Sequence, residues 1–161
     1  MADEKQMKEA RVVYETMCKA LEEREWKFKK FDDDLTISLG VRGDDLPMDV
    51  VMMVRADAQV ISLFSPLPFK IAEDKRVEAG LAVCVANYGL VNGSFDYDIS
   101  DGEIRFRVCS SFRESLIGGE LFNYMLHIAV NTIDKYNDRF LMISKGIIDL
   151  QKFVEMENEQ E

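Results

Sequence analysis

Clustered carboxylates, one histidine and three thiols are the side chains in this sequence whose types suit chemistry. Their spacing decides what they can do. Asp96, Asp98, Asp101 and Glu103 form the densest acidic group. A calcium loop of the helix–loop–helix kind needs oxygens at fixed alternating positions, a glycine at a fixed bend and a closing acid. Here the third aspartate and Gly102 arrive one residue late, and Arg107 stands where the closing acid belongs. The expected reading is a hairpin turn with a solvated face. Asp32-Asp33-Asp34 and Asp44-Asp45 offer carboxylate pairs for acid–base work, but aspartates between apolar runs are turn formers first.

His127 is the only histidine. A hydrolytic triad needs a serine elbow beside it and a histidine metal site needs further ligands, and neither motif is present. An ordinary helix position is expected. Cys18, Cys84 and Cys109 are odd in number and no pair has C-x-x-C spacing. They read as reduced thiols in or near the core, which suits a reducing compartment. Gly118-Gly119 lacks the lysine that would make a phosphate loop. Ser110, Ser111 and Ser115 are expected to cap or precede a helix. No catalytic residue, metal or cofactor emerges.

The elements that carry these residues follow from periodicity. Met7, Ala10, Tyr14, Met17 and Leu21 recur at helical spacing and predict a first helix lying on a surface with one stripe. The period then becomes two. Trp26 and Phe28 predict a short strand. Leu35, Ile37, Leu39 and Val41 predict a half-buried one, with an antiparallel sheet implied by its solvated face. Met48 to Arg55 predicts a third strand and Gln59 to Ser65 a fourth. Ser65-Pro66-Leu67-Pro68 is expected to stop the sheet, because proline cannot donate to a ladder. A second helix is expected from Glu73 to Tyr88, with Val77, Leu81, Cys84 and Tyr88 as its buried stripe and Gly89 as its stop. Asp101-Gly102 predicts a hairpin between strands around Phe95–Ile99 and Ile104–Val108. The last third is helical. Leu121, Met125, Ile128, Thr132 and Tyr136 share a face that Phe140, Ile143, Ile147, Leu150 and Val154 extend, with Gly146 as a possible break. Strands and helices are segregated, so the fold class is α+β, an antiparallel sheet with helices packed on it, in the order α-β-β-β-β-α-β-β-α.

The chain has 161 residues, a net charge of −10, 47% hydrophobic and 31% charged residues. These are globular values, and one domain spanning 1–161 is expected. Acids and bases are interleaved without a basic stripe, so neither nucleic acid nor an anionic membrane is an expected partner. The start, Met1 to Lys5, has no apolar segment of the signal-peptide kind. No apolar run reaches the length of a membrane span. A cytoplasmic protein is expected.

Five segments resemble the YbjN domain family: Val41-Arg42-Gly43-Asp44-Asp45-Leu46-Pro47, Ser65-Pro66-Leu67-Pro68-Phe69, Ala86-Asn87-Tyr88-Gly89-Leu90, Gly93-Ser94-Phe95-Asp96-Tyr97-Asp98 and Tyr136-Asn137-Asp138-Arg139-Phe140. They fall in order along residues 5–146, leaving 147–156 as a helical extension and a polar tail. The resemblance implies a type III secretion chaperone-like fold, α-β-β-β-α-β-β-α. It also implies a general role as a bacterial sensory transduction regulator, with no catalytic residues attached. Chaperones of that fold dimerise and bind extended segments of their partners. A homodimeric, non-enzymatic protein-binding module, chaperone-like or a regulatory adaptor, is therefore the expected function.

Two surfaces are candidates. Nine methionines is a high number, and methionine is common on surfaces that adapt to partners. Met48, Val50, Met52 and Met53 are the candidate binding residues, unless this strand is simply central. Ala79, Gly80, Ala82 and Val83 permit close helix approach, either at a dimer interface or against the chain's own sheet. A different reading is a small-molecule sensor, which needs a pocket between the sheet and the third helix lined by Phe106, Tyr124 and Tyr136.

Overall fold

The computed structural model describes residues 2–159. Helix α1 (Glu4–Glu23) starts at Asp3, whose carboxylate accepts from the Gln6 N–H at 2.8 Å while Gln6 Oε1 accepts from the Asp3 N–H at 2.9 Å. This reciprocal box satisfies two helix-end donors. The sheet contains β1 (Lys29–Phe31), β2 (Thr36–Arg42), β3 (Pro47–Arg55), β4 (Val60–Lys70), β5 (Ser94–Asp98) and β6 (Glu103–Ser111). Helix α2 (Arg76–Tyr88) lies between β4 and β5, and α3 (Glu120–Ser144) and α4 (Leu150–Asn158) close the chain. The six strands run antiparallel in the order β1-β2-β3-β4-β6-β5. The expected α+β order is the observed one, with α4 following it.

Register puts one set of side chains beneath the helices. Ile37 faces Met52, Leu39 faces Val50, Val54 faces Ile61 and Leu63 faces Val108 across the ladders. All are buried. The helices contact the sheet through this set, α1 on β3, α3 on β4 and β6, and α2 on β5. α1 contributes Ala10, Val13, Tyr14, Met17, Cys18, Ala20 and Leu21, whereas Met7 remains 43% exposed near the start.

Two expectations shift and a third, the break at Gly146, holds. The first strand starts at Lys29, after Trp26 and Phe28. β4 does not stop at Ser65. It runs through Pro66 and Pro68 to Lys70, with a register shift against β6 between Pro66 and Lys70. The pairing of β3 with β4 ends at Val51–Phe64, so the prolines fall where β4 has lost one neighbour and a missing N–H costs little. Finally, α3 ends at Ser144, with Gly146 at φ 67°, and α4 starts afresh at Asp149, whose carboxylate caps the Lys152 N–H at 2.8 Å.

Candidate binding surfaces

The structure divides the methionine strand by parity. Met48, Val50 and Met52 are at most 2% exposed and point at the helices. They are core residues, and as binding residues they are corrected here, because a partner cannot reach them in the folded chain. Met53 points the other way and is partly exposed. Its side of the sheet is the one no helix of the described residues covers. There Val51 pairs with Phe64 and with Ser38, and Met53 pairs with Ser62 and with Thr36. The centre of this open face is uncharged. At its margin the Arg105 guanidinium lies 4.9 Å from the Phe64 ring centre. Arg107 donates to both oxygens of Asp96, at 2.9 and 3.0 Å. These bonds, with one from Arg105 at 3.2 Å, hold the Asp96 carboxyl below the usual carboxylate range.

The sheet's two edges differ. On β5, the Asn87 side chain reaches from α2 to bond both the N–H and the C=O of Phe95, at 2.7 and 2.9 Å. That closes part of the edge. On the other side, β1 pairs only with Thr36, Ile37 and Ser38 of β2. No strand among the described residues pairs with Leu39–Arg42 on that side, leaving a short open backbone edge next to the open face.

Helix α2 is turned by half a revolution from the expected orientation. Ala79, Ala82, Val83 and Ala86 are buried against the chain's own β5, α3 and α4. A Cβ on Gly80 would lie 3.4 Å from the Tyr97 ring. The small residues do permit close approach, but to this chain's own interior. Ala79 and Val83 are corrected as dimer contacts. The stripe expected inside is outside. Val77 is 69% exposed, Leu81 51% and Tyr88 97%, with exposed Cys84 between them. Cys109 is exposed too, and only Cys18 is buried. Of the three thiols expected in or near the core, two therefore lie at the surface.

The sensor pocket is filled. Phe106 and Tyr136 are fully buried, and Phe95 stands edge-on to Phe106, Tyr136 and Phe140 at 5.0–5.5 Å. Tyr124 is exposed on α3 and pairs with Asn92.

The remaining candidates are local. His127 is exposed on α3, its Nδ1 2.7 Å from the Asn123 carbonyl. Asp32 accepts from the Tyr14 hydroxyl at 2.8 Å. Asp134 accepts from the Asp44 N–H at 3.1 Å. Asp98 accepts from Ser100, and Asp101 pairs with Lys70 and accepts from the Glu103 N–H. Gly102 adopts φ 81°, which its hairpin turn requires. Ser110 and Ser111 belong to β6 and cap no helix, while α3 starts at Gly119 without a side-chain cap. Among the described residues, no three His, Cys, Asp or Glu side chains are grouped to hold a metal ion. No described helix is long and apolar enough to cross a membrane.

The fold is shared with known structures. The chain superposes on YbjN, a proposed transcription regulator from E. coli, with a TM-score of 0.57 and 11% identity, covering 78% of this chain and 92% of that one. It superposes on a chain of the ExsC–ExsE complex with a TM-score of 0.54 and 12% identity, covering 77% and 90%. The YbjN-like, type III secretion chaperone-like fold is therefore the fold of this chain. No family model matches the sequence, and no curated protein matches it.

Proposed function

We propose that this chain is a non-enzymatic protein-binding module, a chaperone-like or regulatory adaptor, that works as a homodimer in a reducing cytoplasm. The observation that carries the reading is the uncovered sheet face, apolar and uncharged at Val51, Met53 and Phe64, beside the open backbone edge of Leu39–Arg42. An extended segment of a partner can add main-chain bonds at such an edge while its side chains lie across the face. A chain of the same fold crystallised as the ExsC–ExsE complex is consistent with this use of the architecture. The three cysteines, all free, suit the compartment.

The homodimer is assigned to the outward face of α2. Val77, Leu81, Cys84 and Tyr88 form an apolar helical stripe without a partner in the monomer. No charged residue occurs between Glu78 and Asp96. In a chain of net charge −10, this is where two copies approach with least repulsion.

The test is capture from host extract with the tagged native chain and with Met53→Asp, followed by mass spectrometry. A protein retained by the native chain at near-equimolar amount and lost by Met53→Asp supports the reading. Equal retention by both refutes the assigned face.

A further inference from the structure

The last helix is seated like a ligand. α4 has nine residues, too few to hold a helix in water alone, since isolated helices below about 12 residues are marginal. Its seat therefore supplies its order. Phe153 is its one buried residue, stacked on Phe140 at 5.7 Å and on Tyr136 at 6.4 Å. One turn later Glu157 accepts from the Tyr136 hydroxyl at 2.6 Å, pairs with Arg139 and lies 3.9 Å from Lys135. At the start of the helix the Leu150 N–H donates to Glu78 of α2 at 3.0 Å.

The seat makes two chemical demands. Its floor is aromatic, so an empty groove would wet Tyr136 and Phe140. Its wall carries Arg139, only 7% exposed, whose carboxylate partner among the described residues is Glu157. A buried guanidinium stripped of its carboxylate is strongly unfavourable. Whatever fills the groove must bring both a ring and a carboxylate, one helical turn apart. The segment joining α4 to α3 contains Gly146 in a left-handed conformation and the exposed Ile147, so Ile148 is its one side chain packed on the core that must leave when α4 swings out.

We propose that the groove between α2 and α3 is a recognition site for a helical segment of another protein that carries an aromatic residue followed four positions later by a carboxylate. α4 occupies the site in the resting chain, and a partner segment of that pattern displaces it. The site is separate from the open sheet face and stands whether or not that face binds.

The probe is a fluorescein-labelled peptide of residues 148–159, titrated by anisotropy. It is offered to the full native chain and to the full chain carrying Phe153→Ala and Glu157→Gln, whose own helix is unseated. An occupied site binds with its affinity scaled by the open fraction, so the peptide is expected to bind the double variant at least about tenfold more tightly than the native chain. A peptide with Glu157→Gln is expected to bind the variant at least about tenfold more weakly than the parent peptide, as loss of one charged pair predicts. Equal affinity for both chains, no binding by a folded variant, or indifference to the peptide's glutamate overturns the proposal. Should circular dichroism show the variant unfolded, hydrogen exchange on the native chain decides. Amides of α4 exchanging ahead of those of α3 support a displaceable helix, and exchange of the two together overturns it.

Discussion

Asp96 holds two arginines on one carboxylate, and its consequence is a pH dependence with a defined sign. Arg107 and then Arg105 lower its pKa in the folded chain. A carboxyl lowered on folding contributes stability that is complete above its unfolded value of about 4 and is lost as pH falls through the folded value. Asp98, bonded by Ser100, and Asp101, bonded by Lys70, are shifted the same way. Asp96→Asn should therefore be less stable than the native chain at pH 7. The gap should close below about pH 4, as read from urea melts across pH. A gap independent of pH would assign the loss to packing instead. Met52 and Met53 make a second residue-scale contrast. Met52→Asp puts a carboxylate among core residues and should cost about 3 kcal/mol or more. Met53→Asp, on the open face, should stay within about 1 kcal/mol of native. Equal losses in the two melts would mean that the open face is covered.

At the scale of elements, α2 is the informative one. Both of its faces are apolar, so helical period alone does not say which is inside. Small side chains decide it. Ala79, Ala82 and Ala86 let the helix approach β5 and α3 closely, and the bulkier Val77, Leu81 and Tyr88 are left outside. Leu81→Glu should keep the native circular-dichroism spectrum, convert a dimer to monomer in sedimentation velocity and make the melting transition independent of protein concentration. Mild oxidation of the native chain should join copies through Cys84, and Cys84→Ser should abolish that product. Cross-linking that persists in Cys84→Ser, through exposed Cys109, would place the interface elsewhere. β4 teaches a related lesson. Proline forbids a fully paired central strand but not one whose ladder with a neighbour has ended, and here the β3–β4 ladder stops at Val51–Phe64 although both strands continue.

The whole molecule carries a charge of −10, so association of two copies works against their mutual repulsion. Salt screens that repulsion over a Debye length of about 10 Å at 0.1 M, and it does not weaken apolar contact. The dimer fraction measured by light scattering should therefore rise between low and moderate sodium chloride. A fall would point to an interface built on ion pairs rather than on the uncharged stripe of α2.

The sequence by itself determined the element order and the antiparallel sheet. Alternation along Leu35–Val41 and Ile104–Val108, the Asp101-Gly102 turn and the break at Gly146 are local signals, written in neighbouring residues. It also placed Asp32, Asp44 and Asp101 between strands, but of the three only Asp101 bonds a near neighbour through its side chain, the Glu103 N–H, whereas Asp32 bonds Tyr14 and the Asp44 N–H bonds Asp134 across the fold. The tertiary structure alone decided which faces meet. Met52 and Met53, or Ala79 and Leu81, differ in side by a parity or a phase that is set by where the helices dock. Their docking depends on the fit of all layers at once. The same is true of Phe153. The expected stripe continued α3 through Ile147, Leu150 and Val154, but the break at Gly146 resets the phase, so Ile147 is exposed and Phe153 is buried by a ring stack and an Arg139–Glu157 pair that form only when α3 and α4 are brought together.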